Sequence, residues 1–141
     1  NKNGRPAEAM SFENINYFDI LKEEDWYESR LYEIFTGRFL FIVFQEGEDE
    51  QVRLKKAFFW TMPVKDLDEA AGYWLNIKNA VKDNHIAPEY FWRESDHKNF
   101  HVRPKAKNAA DMADNPHGGK AKKYCYWLNH DYIKAIVEGA E

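Results

Sequence analysis

An α/β fold, with a mixed and largely antiparallel central sheet flanked by helices, is predicted by three observations. Two β-branched and aromatic runs, residues 38–44 and 51–62, flank the turn-like Glu46-Gly-Glu-Asp-Glu50, as in a long hairpin. Residues 65–83 place apolar side chains at helical spacing. Strand-like alternation at 99–103 and again at 123–128 precedes a closing amphipathic segment, so strands and helices interleave along the chain.

In chain order, Met10 and Phe12 with the alternating Asn14-Ile15-Asn16-Tyr17 suggest a first strand. Residues 25–35 then have helical spacing through Trp26, Leu31, Ile34 and Phe35, with Gly37 placed to end the helix. The hairpin follows, its rings Phe39, Phe41, Phe59 and Trp60 expected in the core together with Trp74. Asp66 and Glu69 have capping-box spacing ahead of a face formed by Leu67, Ala70, Ala71, Trp74, Ile77 and Val81. Residues 84–98 carry Pro88 and many charges and read as a surface loop with a short strand near Tyr90 to Trp92. Asn99 to Arg103 alternates like a strand and is stopped by Pro104, which has no N–H for a central ladder. Residues 105–120 read as a basic, glycine-containing loop with a helical turn. Lys123 to Leu128 reads as the last strand, and Asn129 is placed to cap a helix through Tyr132, Ile133, Ile136 and Val137.

A chain of 141 residues with 44% hydrophobic and 16% aromatic content has enough apolar surface for a core, and its length suits one domain over residues 1–141. The lone Cys125 cannot form an internal disulfide and reads as a buried small hydrophobe. No run approaches the length of a membrane span, so a cytoplasmic setting without a membrane partner is expected. The start at Asn1, without an initiator methionine, suggests a fragment of a longer chain.

The net charge of −4 speaks against nucleic acid as a partner, but the average conceals an asymmetry. Residues 1–96 hold 12 basic and 19 acidic side chains, whereas residues 97–134 hold 8 basic and 3 acidic ones, with four histidines in the same stretch. Such asymmetry within one domain marks an anion-facing surface or, more plainly, a solvated loop.

Catalytic spacings are missing. There is no Gly-x-Ser-x-Gly elbow, phosphate-binding glycine loop or His-Glu-x-x-His, and His97 and His101 would share a face only on a helix. The acidic-x-lysine triplet that metal-dependent nucleases use occurs only as Asp96-His97-Lys98, in a loop, and reads as accidental. What stands out is His101-Val-Arg-Pro-Lys-Ala-Lys-Asn108, with arginine and lysine two apart where a strand is stopped. An arginine fork matches guanine O6 and N7 in the DNA major groove, and a lysine beside it reaches a base edge or a phosphate.

At this motif the chain resembles the MutH-like family, which comprises mismatch-repair nicking enzymes and GATC-cutting Sau-type type II restriction endonucleases. The resemblance extends over nearly all 141 residues. Gly4-Arg-Pro-Ala-Glu-Ala-Met-Ser-Phe12 resembles the segment after the family's Glu-Leu-Lys strand, and residues 38–44 with Ala57-Phe-Phe-Trp-Thr-Met-Pro63 resemble its central hairpin. His101 to Ala109 is similar to its DNA-recognition motif, and Tyr126-Trp-Leu-Asn-His-Asp-Tyr132 to its last strand and helix. The resemblance implies a restriction-endonuclease-like core in which Arg103 and Lys105 read a GATC site and Trp127 approaches its adenine. His101, Pro104, Lys107, Asn108, Lys120, Lys122, Lys123 and Asn129 are further candidate DNA contacts, the lysines by neutralising phosphates.

Two departures from the family bear on activity. Its aspartate and Glu-x-Lys would lie upstream of Asn1, and the catalytic lysine expected before the hairpin is missing from Ile34-Phe-Thr-Gly-Arg38. Sau-type enzymes carry two MutH-like halves, the second without catalytic residues, and residues 58–63, 101–104 and 127–133 look more like that second half. The expectation is therefore a non-catalytic recognition and effector domain that partners double-stranded DNA and the catalytic half of a parent endonuclease. No cofactor is expected in this domain, with magnesium belonging to the catalytic half. The first alternative is a catalytic half whose acids lie upstream of residue 1. The second is a protein-binding module built on Trp92, Tyr124, Tyr126 and Trp127.

Overall fold

The computed structural model describes residues 9–139, so the Gly4 to Glu8 part of the first family-like segment lies outside the described residues. The elements run β1 (Met10–Asn14), α1 (Tyr17–Lys22), a 3₁₀ turn (Trp26–Glu28), α2 (Arg30–Phe35), β2 (Arg38–Glu46), β3 (Val52–Thr61) and α3 (Val64–Lys82). Two further 3₁₀ turns (Pro88–Tyr90 and Glu94–Asp96) lead to β4 (Phe100–Pro104), β5 (Met112–Asp114), β6 (Lys120–Lys122), β7 (Tyr124–Leu128) and α4 (His130–Gly139). The α/β class is as expected, but the sheet is not one mixed sheet. Strands pair antiparallel in three groups, β1-β7-β4, β2-β3 and β5-β6. Among the described residues the nine- and ten-residue hairpin strands pair only with each other and meet the core through side chains.

The three-stranded sheet positions the site. Along β4, Phe100 and Val102 face one side and His101 and Arg103 the other. The first side meets α3, where the Phe100 ring stacks 5.2 Å from Phe35 and 5.3 Å from Tyr73. Tyr124, Tyr126 and Leu128 of β7 are buried on that side too. The Tyr73 hydroxyl bridges the two strands, donating to the His101 carbonyl and accepting the Trp127 N–H at 3.4 Å.

Several local expectations change. The first strand stops at Asn14, because the Asn16 side chain accepts the N–H groups of Phe18 and Asp19 at 3.1 and 3.0 Å and starts α1, a helix the alternation concealed. The helix expected over 25–35 breaks at Ser29, whose backbone is extended (φ −78°, ψ 152°) and whose hydroxyl caps α2 at Tyr32. Asp25 caps the 3₁₀ turn before it. The helix α3 forms nearly as expected, but no side chain caps it. Asp66 is buried and accepts the Tyr132 hydroxyl at 2.8 Å, and Glu69 accepts the Asn99 N–H at 3.0 Å, so tertiary contacts claim both acids.

Phe59 is 62% exposed with Arg38 over its ring, since Phe58 and Trp60 on either side of it face inward. No strand forms at Tyr90 to Trp92, where Pro88 opens a 3₁₀ turn. Residues 105–120 hold no helical turn. The chain forms the β5–β6 hairpin, closed by Gly118 and Gly119 at φ 109° and 72°, where side chains other than glycine are strained. Lys123 lies just outside β7. Among the described residues no helix is long and apolar enough to cross a membrane.

Phe100 has ring partners on both sides in the stack that holds β4 to α2 and α3. Replacing it with alanine is expected to lower unfolding stability by about 3–5 kcal/mol, measured as a shift of the urea midpoint at unchanged slope.

Candidate functional site

The face of β4 and β7 turned away from α3 gathers the residues singled out in the sequence. The register places His101 opposite Trp127 and Arg103 opposite Cys125, with Ser11 of β1 on the far side of Trp127. The Arg103 guanidinium lies 4.3 Å from the Trp127 ring centroid, and the Lys105 ammonium 5.9 Å from the same centroid. Lys105 Nζ is also 3.5 Å from Ser11 Oγ, while its backbone N–H donates to Lys123 and continues the ladder past Pro104. Proline tolerates that position because it ends the strand.

His101 is wholly buried, although it lies on the site face. Trp127 stacks beside it, with ring centroids 5.9 Å apart and planes 20° apart. Its Nδ1 bonds to the Asn129 side-chain oxygen, the Asn129 amide donates to the Lys98 carbonyl, and Arg103 Nε donates to His101 Nε2 at 2.6 Å. This chain is satisfied by a neutral imidazole carrying its proton on Nδ1. Arg103 Nη2 then reaches Glu94 at 2.8 Å, on the 3₁₀ turn before β4. Burial pushes the His101 pKa below its ordinary 6.5; the Asn129 acceptor opposes this, the Arg103 charge adds to it, and Glu94 opposes it.

The other candidate contacts are distributed differently. His101 is wholly buried and accepts Arg103, so it presents no surface to a ligand, whereas the mostly buried Asn129 holds His101 and lines the groove beside Glu94. The Asn129 carbonyl starts α4 by taking the Ile133 N–H, while its side chain serves β4 and the Lys98 loop, not the helix cap alone that the sequence suggested. Asn108 turns back to accept the Ala110 N–H at 2.9 Å and shapes its own loop. Lys120 pairs with Asp114 at 2.5 Å and Lys123 with Asp111 at 2.6 Å. Lys107 donates its backbone N–H to Asp111, and Lys122 is exposed on β6 with no ion-pair partner among the described residues.

Burial raises the Cys125 thiol pKa, so it is an unreactive protonated group under Arg103. Among the described residues the buried Trp127 indole N–H has no hydrogen-bond partner, and its ring lies against the Arg103 guanidinium. Among the described residues there is no group of three or more His, Cys, Asp or Glu side chains able to hold a metal ion. Arg38, at the end of the Ile34–Arg38 segment that lacks the expected lysine, stacks on Phe59, and Asp96 is used locally to hold the Arg93 N–H at 2.8 Å. Sequence reasoning missed Glu94 and Tyr73. Glu94 sits nine residues from Arg103 across an irregular turn, beyond any periodic signal.

The described residues form an α/β fold in which two cations lie over a tryptophan on one face of an antiparallel sheet. No family model matches the chain. A curated relative does: the type II restriction enzyme Sau3AI of Staphylococcus aureus is 28% identical over 179 aligned positions that take in 98% of this chain and 36% of that enzyme. The match falls in its C-terminal part. The chain is similar to that Sau-type restriction enzyme, as its motifs suggested, and spans about a third of the relative's length.

The depressed pKa of His101 has a measurable consequence. Below pH 6.5 the unfolded chain takes up a proton at this histidine before the folded protein does, so the unfolded state binds more protons and stability falls as pH drops. Above that pH the group contributes no slope. Replacing His101 with glutamine should flatten this part of the urea-midpoint profile below about pH 6.5; an unchanged slope would mean that His101 is not held neutral.

Proposed function

We propose that this chain is a non-catalytic recognition and effector domain of a type II restriction endonuclease, with a restriction-endonuclease-like core and a preference for duplex DNA containing GATC. The observation that carries the reading is the convergence of Arg103 and Lys105 on the Trp127 ring, at 4.3 and 5.9 Å, on one sheet face. In this reading Arg103 presents its Nη edge to guanine, Lys105 reaches the adjacent base edge or phosphate, and Trp127 supports both and supplies apolar contact at A·T. Lys107, Lys120, Lys122 and Lys123 neutralise phosphate, Lys120 and Lys123 after exchanging their aspartate partners. The domain contributes binding energy to a catalytic half elsewhere in its parent enzyme.

The alternative of a catalytic half places its metal-binding acids upstream of residue 1; the absence of a lysine from Ile34-Phe-Thr-Gly-Arg38, just before the hairpin, favours the recognition domain over it. Magnesium would belong to the catalytic half. The protein-binding alternative is weakened because Tyr124 and Tyr126 are core residues, and Trp92 packs on Tyr73 at 5.5 Å.

Fluorescence anisotropy with a labelled GATC duplex and a scrambled duplex at two salt concentrations tests the reading. Salt-sensitive binding that prefers GATC is expected, with a log-log slope of about −0.9 per phosphate neutralised, and with both strands intact on a gel after magnesium is added. Arg103→Ala should remove about 1–3 kcal/mol of discrimination, whereas Lys122→Ala should weaken both duplexes alike. Strand cutting would restore the catalytic reading, and binding to neither duplex would reject a DNA-recognition role.

A further inference from the structure

Arg103 is already engaged before any ligand arrives. Its Nε is committed to His101, and its Nη2 to Glu94 at 2.8 Å. A carboxylate offers the guanidinium two acceptor oxygens in a plane, as guanine offers O6 and N7. With Nε held by a buried, satisfied imidazole, the outer Nη edge is the part of the fork that can face a base, and Glu94 occupies half of it. A guanine and Glu94 therefore compete for the same donors.

We propose that Glu94 is a specificity-determining latch that occupies the reading edge of Arg103 and must be displaced by a guanine edge; this rests on the reading of Arg103 as the base-reading residue. The backbone beneath Glu94 is fixed. Its carbonyl accepts the His97 N–H at 3.2 Å, the turn is tied by Asp96 to the Arg93 N–H, and His97 closes it at φ 57°. Release consequently needs only rotation of the Glu94 side chain, which is 58% exposed. Glu94 also borders an open groove of about 510 Å³ shared with Arg93 and His97, which gives the released carboxylate room to turn. His101 and Asn129 are positioning residues here: they hold Nε while the outer edge exchanges partners. Contacts made through lysines alone leave the latch closed, so only a complex that engages Arg103 has to break it.

The test is a double-mutant cycle on the 141-residue chain, comprising the parent protein, Glu94→Gln, Arg103→Ala and the double variant. Each is titrated with the GATC duplex and the scrambled duplex. An exposed ion pair of this kind is worth up to about 1 kcal/mol, so Glu94→Gln is expected to tighten GATC binding about two- to fivefold. The gain should be smaller on the scrambled duplex and absent when position 103 is alanine. An equal gain in both position-103 backgrounds would reduce Glu94 to a general repulsive charge and overturn the latch. No gain, or weaker binding, would also overturn it, making Glu94 a strut that aims Arg103. An undiminished GATC preference in Arg103→Ala alone would overturn the base-reading role and the latch together. An Arg103-dependent preference without coupling to position 94 would overturn only the latch.

Discussion

The pairing of His101 with Trp127 is the constraint on which the site depends. Side chains along a strand alternate with period two, so a slip of one residue would turn Arg103 into the core and Phe100 and Val102 toward solvent. The fold resists that slip from two directions. Phe100 is clamped between the Phe35 and Tyr73 rings, and the Tyr73 hydroxyl bridges the backbones of His101 and Trp127. A residue of α3 thus fixes the geometry on the opposite face of the sheet. Burial shifts the Tyr73 phenol well above its ordinary pKa, so the bridging group stays a neutral donor.

The other face carries a harder electrostatic problem, a cation placed over a fully buried histidine. A protonated His101 would oppose Arg103 and would leave Nε2 unable to accept from Nε. Burial and the guanidinium both favour the neutral ring, and Asn129 fixes which nitrogen carries its proton. The cost of desolvating these groups is offset because both ring nitrogens of His101, the Asn129 side-chain amide and the Arg103 Nε each have a partner. The result is a fork with fewer free rotations than a surface arginine, and less entropy to lose when it binds.

The parts of this architecture that follow from periodicity were legible in the sequence. The hairpin, α3, β4 ending at Pro104, β7 and α4 all lie where runs of apolar residues placed them. Arg103, Lys105 and Trp127 were nominated by motif and resemblance, and they meet on one face. What was not legible depends on contacts between distant segments. Asp66 and Glu69 have the spacing of a cap, yet Tyr132 and Asn99 use them. His101 looked like a ligand-facing residue of an exposed motif, whereas the loop at Lys98 and the start of α4 cover it. The three 3₁₀ turns have no period long enough to read, and Glu94 was hidden in one of them.

The formal charge excess over residues 97–134 also acquires a different meaning in three dimensions. Of the cations nominated for DNA, Arg103 is paired with Glu94, Lys120 with Asp114 and Lys123 with Asp111. Each partner is an acid on a neighbouring turn or hairpin strand, so half of the six nominated cations are already neutralised, whereas Lys105, Lys107 and Lys122 have no ion pair among the described residues. Exchanging such a pair for a phosphate replaces one screened, partly exposed contact with another and yields little net energy. The general attraction of such a face for polyanions rests on its unpaired lysines, within an overall charge of −4. Discrimination then rests on contacts that a phosphate cannot reproduce, namely the shape of the guanine edge against a fork held in place by His101 and backed by Trp127. The same acids that make the domain look ill suited to nucleic acid are, on this argument, what would restrict it to the sequence that displaces them.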